Sequence, residues 1–204
     1  MNIFPELKGK WTKINLDNES RKEKELSLNN PLVCKGWVDY LHSTMGVDYS
    51  YGGFLEDRSN LWKDTYLKQV NAFIHLGIDY NVPIGTKVCL PIDALVDETI
   101  TDPSQGGWGS AIKFKIKKSD IFFIIAHLSP ELNVKKGEEY KKGEFVGHTG
   151  QITENGGWYP HCHVQFFTSE FDKNYDHTLA KMDGYLPKGH KDMGVIINPE
   201  KYVK

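Results

Sequence analysis

The sequence predicts a mostly β protein built on an antiparallel sheet, with an N-terminal helical and loop extension and a loop-rich C-terminal tail. Three observations carry this. Between about residues 71 and 169, short runs rich in β-branched and aromatic residues follow one another: FIHLGIDY, TKVCLPI, ALVDETI, AIKFKIK, IFFIIAHL, EFVGHT and HVQFFTS. Gly, Pro and Asn punctuate them, as in DPSQGGWG and TENGGWYP. No helix-length periodic segment interrupts the series, so its strands are joined by turns and loops and pair mostly antiparallel.

The elements follow in order. Residues 1–70 form the N-terminal extension, in which WTKINL (11–16) is a candidate short strand and ESRKEKE (19–25) a solvated run. Asn30 and Pro31 open a helix, as N-cap and first helical residue. Val33, Trp37, Leu41 and Met45 recur every four residues along it, and Gly46 ends it. Residues 47–70 read as ordered loop with one helical turn. In the 71–169 core, AIKFKIK alternates as a half-buried strand does, and IFFIIA reads as buried on both faces. The C-terminal extension, 170–204, reads as loop with a short helix, closing on VIINPEKYV.

A length of 204 residues favours one domain with extensions. A net charge of −2, with lysines scattered among the acids, offers no basic face, so no nucleic-acid partner is expected. The longest apolar run, IFFIIA (121–126), is far short of the ~20 residues of a membrane span. The first residues, MNIFPELKGKWTK, lack the apolar stretch of a secretory signal. Cys34, Cys89 and Cys162 have no zinc-type spacing and are expected as reduced thiols, which points to a cytoplasmic protein.

The chemistry concentrates in three places. His161-Cys162-His163 runs into VQFF; on a strand the two imidazoles share one face and Cys162 points away. Two such imidazoles can both reach a metal, or one can ligate while the other handles protons. His75 and Asp79 frame HLGID, where Gly77 and the nearby Pro83 disfavour a helix; in a strand the same spacing also shares a face. His127 ends the most apolar run, at the edge of the core.

These motifs, in this order, resemble the lysostaphin/LytM-type zinc metalloendopeptidases, the glycyl-glycine endopeptidase-like family with the duplicated hybrid motif fold. The likeness covers about residues 73–167. FIHLGIDYNVPIGTKV resembles the family's opening strand pair, QGGWGSAIKF its Gly-Gly-aromatic-Gly segment, IIAHLSPELNVKKGEEYKKGEFVGHTG its His-Leu-Ser segment and following turns, and PHCHVQF its closing HxH. The resemblance implies a β-sheet core of that type, one Zn2+ bound by His75, Asp79 and His163, and His127 and His161 as the pair that handles protons and steadies the oxyanion. It implies a peptide-bond hydrolase whose substrate is a peptide or a peptidoglycan fragment. The chain departs from the family in the longer, aromatic TENGGWYP and in Cys162 between the histidines.

Trp108, Trp158 and Tyr159 lie on Gly-rich loops flanking the site, where aromatic rings could stack on substrate. Arg58, one of two arginines, is expected to pair with Glu56, Asp57 or Asp64. The alternative function is a non-catalytic regulatory module on the same fold; all five expected site residues are present, which favours an enzyme. A cupin-type metal enzyme also centres on HxH but wants a Glu three or four residues on, where this chain has Phe166 and Phe167.

Overall fold

The structure, a computed structural model, describes residues 2–17 and 26–203. The charged run 19–25 lies outside the described residues.

Thirteen short strands are described: β1 (Trp11–Lys13), β2 (Tyr49–Gly52), β3 (Ala72–His75), β4 (Ile78–Asn81), β5 (Lys87–Cys89), β6 (Ala94–Asp102), β7 (Gly109–Ile116), β8 (Ile121–Leu128), β9 (Glu139–Tyr140), β10 (Phe145–His148), β11 (Cys162–Thr168), β12 (Tyr185–Pro187) and β13 (Ile196–Ile197). The main sheet runs β1-β2-β4-β11-β8-β7-β6-β9, with β13 also on β11. Every pair in it is antiparallel except β1 with β2. Two further pairs, β5 with β10 and β3 with β12, flank it. The mostly antiparallel β fold is therefore the one expected.

The central strand β8 is apolar on both sides because both sides are covered. Phe123 and Ile125 join a core with Tyr80, Phe114, Cys162 and Phe166. Phe122, Ile124 and Ala126 point into a second core with Trp108, Phe167 and Phe171. On β7, Ile112, Phe114 and Ile116 face the first core. The other face was expected to be solvated, and Lys113 corrects that. Its ammonium is fully buried, bonded to Asp172 (2.7 Å) and Asp97 (2.9 Å), because the C-terminal helix α4 (Ser169–Asn174) closes over it.

The helix α1 (Pro31–Met45) begins and ends where its caps predict. The Asn30 side chain accepts the Leu32 and Val33 N–H groups, and Gly46 closes it at φ 63°. The buried stripe differs from the expected one: Cys34 and Val38 are buried, Val33, Trp37 and Leu41 flank them, and Met45 is 52% exposed. Residues 47–70 are also more regular than expected, holding β2 and two one-turn helices, α2 (Ser59–Trp62) and α3 (Leu67–Val70). At Gly52 a Cβ would stand 1.9 Å from the Ile14 carbonyl oxygen, so the glycine that weakens the strand signal is what lets β2 pack. No helix among the described residues is long and apolar enough to cross a membrane.

Candidate active site

Strand register assembles the site. Asp79 on β4 and His163 on β11 are directly opposed partners, and Ala126, one residue before His127, opposes His163 from the other side. His75 arrives from a different sheet. It ends β3, which pairs with β12, and the chain turns at Leu76-Gly77 before joining the main sheet as β4. HxxxD is therefore two strand ends and a turn, not one strand face. Gly77 is required there: a Cβ would lie 2.5 Å from the His163 ring and 2.6 Å from the Val164 carbonyl oxygen.

His75, Asp79 and His163 are all buried, and one ligand atom from each lies within 4.8 Å of the other two. His75 Nδ1 donates to the Gly53 carbonyl at 2.9 Å, which leaves Nε2 bare. His163 Nε2 lies 3.2 Å from Gln165 Oε1, which turns Nδ1 toward the group. His75 Nε2 and His163 Nδ1 face each other at 3.1 Å, with Asp79 Oδ1 3.0 Å from His163 Nδ1 and 3.4 Å from His75 Nε2. Two imidazoles and a carboxylate converging this closely suit a metal. Burial, with the nearby Arg58, lowers His75 to about 4, so it stays neutral and able to ligate. Burial alone would raise Asp79; the imidazoles and Arg58 outweigh it and hold the carboxyl well below its ordinary range.

His161 and His127 fall outside this trio. His161 Nδ1 donates to the Tyr159 carbonyl at 2.7 Å, turning Nε2 inward to 3.7 Å from Asp79 Oδ1. The two auxiliary rings lie 4.3 Å apart, and His127 sits at φ 63°, a left-handed backbone that is uncommon for histidine. His127 Nδ1 is buried and makes no hydrogen bond among the described residues. Burial lowers both histidines, with His161 adding to the effect on His127.

The site opens into a cavity of about 880 Å³ bordered by Trp62 and Tyr66 from the N-terminal extension, Trp108 and Trp158 from core loops, and Asp183 and Tyr185 from the C-terminal extension. Trp108 donates its indole N–H to Met182 and Trp158 to Leu28, so each wall aromatic also anchors an extension. Tyr159 departs from the expected platform: it is 1% exposed, hydrogen-bonds Asn81 and stacks against His161 from behind. Cys162 points into the first core, away from the histidines, as alternation requires. All three cysteines are buried and none is in a disulfide.

Several contributors escaped the sequence reading. Gln165 follows His163 by two residues on the same strand face, a period-2 signal that was there to use. The Gly53 carbonyl and Tyr185 reach His75 only through tertiary packing and left no sequence signal. Arg58 pairs with Glu56 as expected, but its second partner is Asp79.

A buried two-histidine, one-carboxylate group with two further imidazoles at its edge is a candidate metal centre. The sequence comparison makes the class specific. Residues 73–176, about half of the chain, match peptidase family M23, and the chain belongs to that family. Among curated relatives, it is 28% identical over 107 residues to the glycyl-glycine endopeptidase ALE-1 of Staphylococcus capitis, covering 52% of this chain and 28% of that protein. It is 30% identical over 101 residues to the peptidoglycan DD-endopeptidase ShyC of Vibrio cholerae, covering 49% and 22%. It is 36% identical over 97 residues to the DD-carboxypeptidase/endopeptidase Mpg of Neisseria meningitidis, covering 45% and 20%. The chain thus spans less than a third of those relatives' lengths. The solved catalytic domain of lysostaphin from Staphylococcus simulans aligns at 21% identity and a TM-score of 0.46, covering 64% of this chain and 79% of that one.

Proposed function

We propose that the chain is a zinc-dependent peptide-bond hydrolase acting on peptidoglycan-type or small Gly-containing peptides. In this reading His75, Asp79 and His163 hold the zinc, and His127 and His161 move protons. The convergence of three ligand atoms within 4.8 Å of one another in a buried site carries the reading. Zinc suits this borderline donor set, and three protein ligands leave a position open. When bound, the ion would polarise the scissile carbonyl and lower the pKa of a water from ~15.7 toward ~7.

The remaining work belongs to the chain. His161, its Nδ1–H held by the Tyr159 carbonyl, offers Nε2 to take a proton from the attacking water. Burial keeps it neutral beforehand, as a base requires. His127 directs an unpartnered Nδ1 from a fixed backbone and, once protonated, can donate to the developing oxyanion or the leaving amine. The cavity is of a size that takes a short peptide segment. The activities named for ALE-1, ShyC and Mpg support a peptidoglycan-type peptide.

The test is metal content and rate on the full chain and five alanine variants, using peptidoglycan fragments and Gly-containing peptides. His75→Ala, Asp79→Ala and His163→Ala are expected to lose most of the zinc. His127→Ala and His161→Ala are expected to keep it and lose roughly 10²–10⁴-fold in rate. If His161→Ala loses zinc as fully as His163→Ala, the site has four ligands and is structural, and the binding-module alternative takes its place.

A further inference from the structure

Arg58 takes no part in that scheme, yet its guanidinium is in direct contact with Asp79. Its side chain is 1% exposed. Nη1 donates to Asp79 Oδ2 at 2.6 Å, and Nε donates to Glu56 Oε2 at 3.2 Å. The Tyr185 hydroxyl accepts from the same Nη1 at 3.4 Å and from Trp62 at 2.7 Å, so the guanidinium is braced from the C-terminal extension as well. Its backbone N–H donates to the Phe73 carbonyl on β3, fixing the loop that carries it. Even the space is shaped for it: a Cβ at Gly53 would stand 2.2 Å from Nη2.

An isolated carboxylate can offer a cation one oxygen or both, and can rotate between the two. Here Oδ2 is committed to a charge-assisted bond, and only Oδ1 faces His75 and His163. We infer that Arg58 is a positioning residue: its fork, spread between Glu56 and Asp79, holds Asp79 so that a single oxygen meets the metal. This rests on the reading of His75, Asp79 and His163 as the metal group. A lysine could not replace it, since a point charge cannot hold two carboxylates in fixed directions.

The experiment measures zinc affinity of the full chain by chelator competition and the visible spectrum of the cobalt(II)-loaded chain. A Glu56→Gln/Arg58→Met pair removes one buried charge of each sign and so preserves the balance. Partners that orient metal ligands are worth roughly 10–100-fold in affinity, so the pair is expected to lose that much, and Arg58→Lys to lose roughly 10-fold. The cobalt band of the pair is expected to shift and weaken as Asp79 becomes free to offer both oxygens. A role in folding alone would lower thermal stability and leave that band in place. Wild-type affinity with an unchanged band in the pair overturns the inference. Should the pair show no cooperative melt, wild-type values in Arg58→Lys overturn it instead. An Asp79→Ala variant that binds zinc like wild type overturns the metal reading, and the inference falls with it.

Discussion

Asp183 shows how far one residue's surroundings can move its chemistry. It stands at the cavity wall, where Tyr66 donates to Oδ2 at 3.1 Å and the Tyr185 N–H to Oδ1 at 3.1 Å. Burial nevertheless dominates and raises its carboxyl to about 6. The unfolded chain would hold an ordinary Asp near ~3.9. Between those values the folded chain binds the extra proton, so stability is fully present below ~3.9 and falls as pH rises through about 6. Asp183→Asn is expected to flatten that decline. The measurement is Tm against pH from about 3.5 to 7 for both chains; equal slopes would show that Asp183 titrates normally.

Among the elements, β7 and α4 are joined by more than apolar contact. Lys113 lies on the face of β7 that alternation assigns to solvent, yet Asp172, Asp97 and the His177 carbonyl surround its ammonium. Its pKa is raised, because its carboxylate bonds outweigh the burial that would lower it. Removing one partner of a buried ion pair leaves an uncompensated charge and costs about 3–5 kcal/mol. Lys113→Met is expected to destabilise the chain by that amount in urea unfolding, and adding Asp172→Asn to recover part of it. A loss below about 1 kcal/mol would place this pair among weak surface bridges.

For the molecule as a whole, the residues before 71 and after 169 are built into the sheet that carries the site. The β2 strand covers the edge of β4, the strand of Asp79, and β12 opposes His75 through Tyr185. Arg58 and Tyr185 come from opposite ends of the chain and meet behind Asp79. A fragment of residues 71–169 would expose the β4 edge, lose β12 and leave Asp79 without its cation. It is expected to lack a cooperative thermal transition and to bind zinc more weakly than the full chain, checked by calorimetry and chelator competition. A fragment that melts sharply and keeps full affinity would make the extensions dispensable.

The sequence by itself pointed to the strand series and to the helix capped by Asn30 and Gly46, because each rests on short-range rules: period-2 alternation and capping chemistry. HxH could be read almost directly: His161 stands one residue before β11, and both it and His163 still turn toward Asp79. Residues 47–70 could not. The four-residue alternation in Tyr49–Gly52 is too short to stand out, and β2 is a strand only because β1 and β4 flank it. The tertiary structure alone decided that His75 and Asp79 approach from two sheets, that Tyr159 packs behind His161, and that Arg58 holds Asp79 as well as its near neighbour Glu56. Each of those was set by segments apart in the chain packing together: β3 on β12, Tyr159 on Asn81, and Arg58 on Asp79. Burial makes such contacts strong, and nothing local encodes which segments will meet.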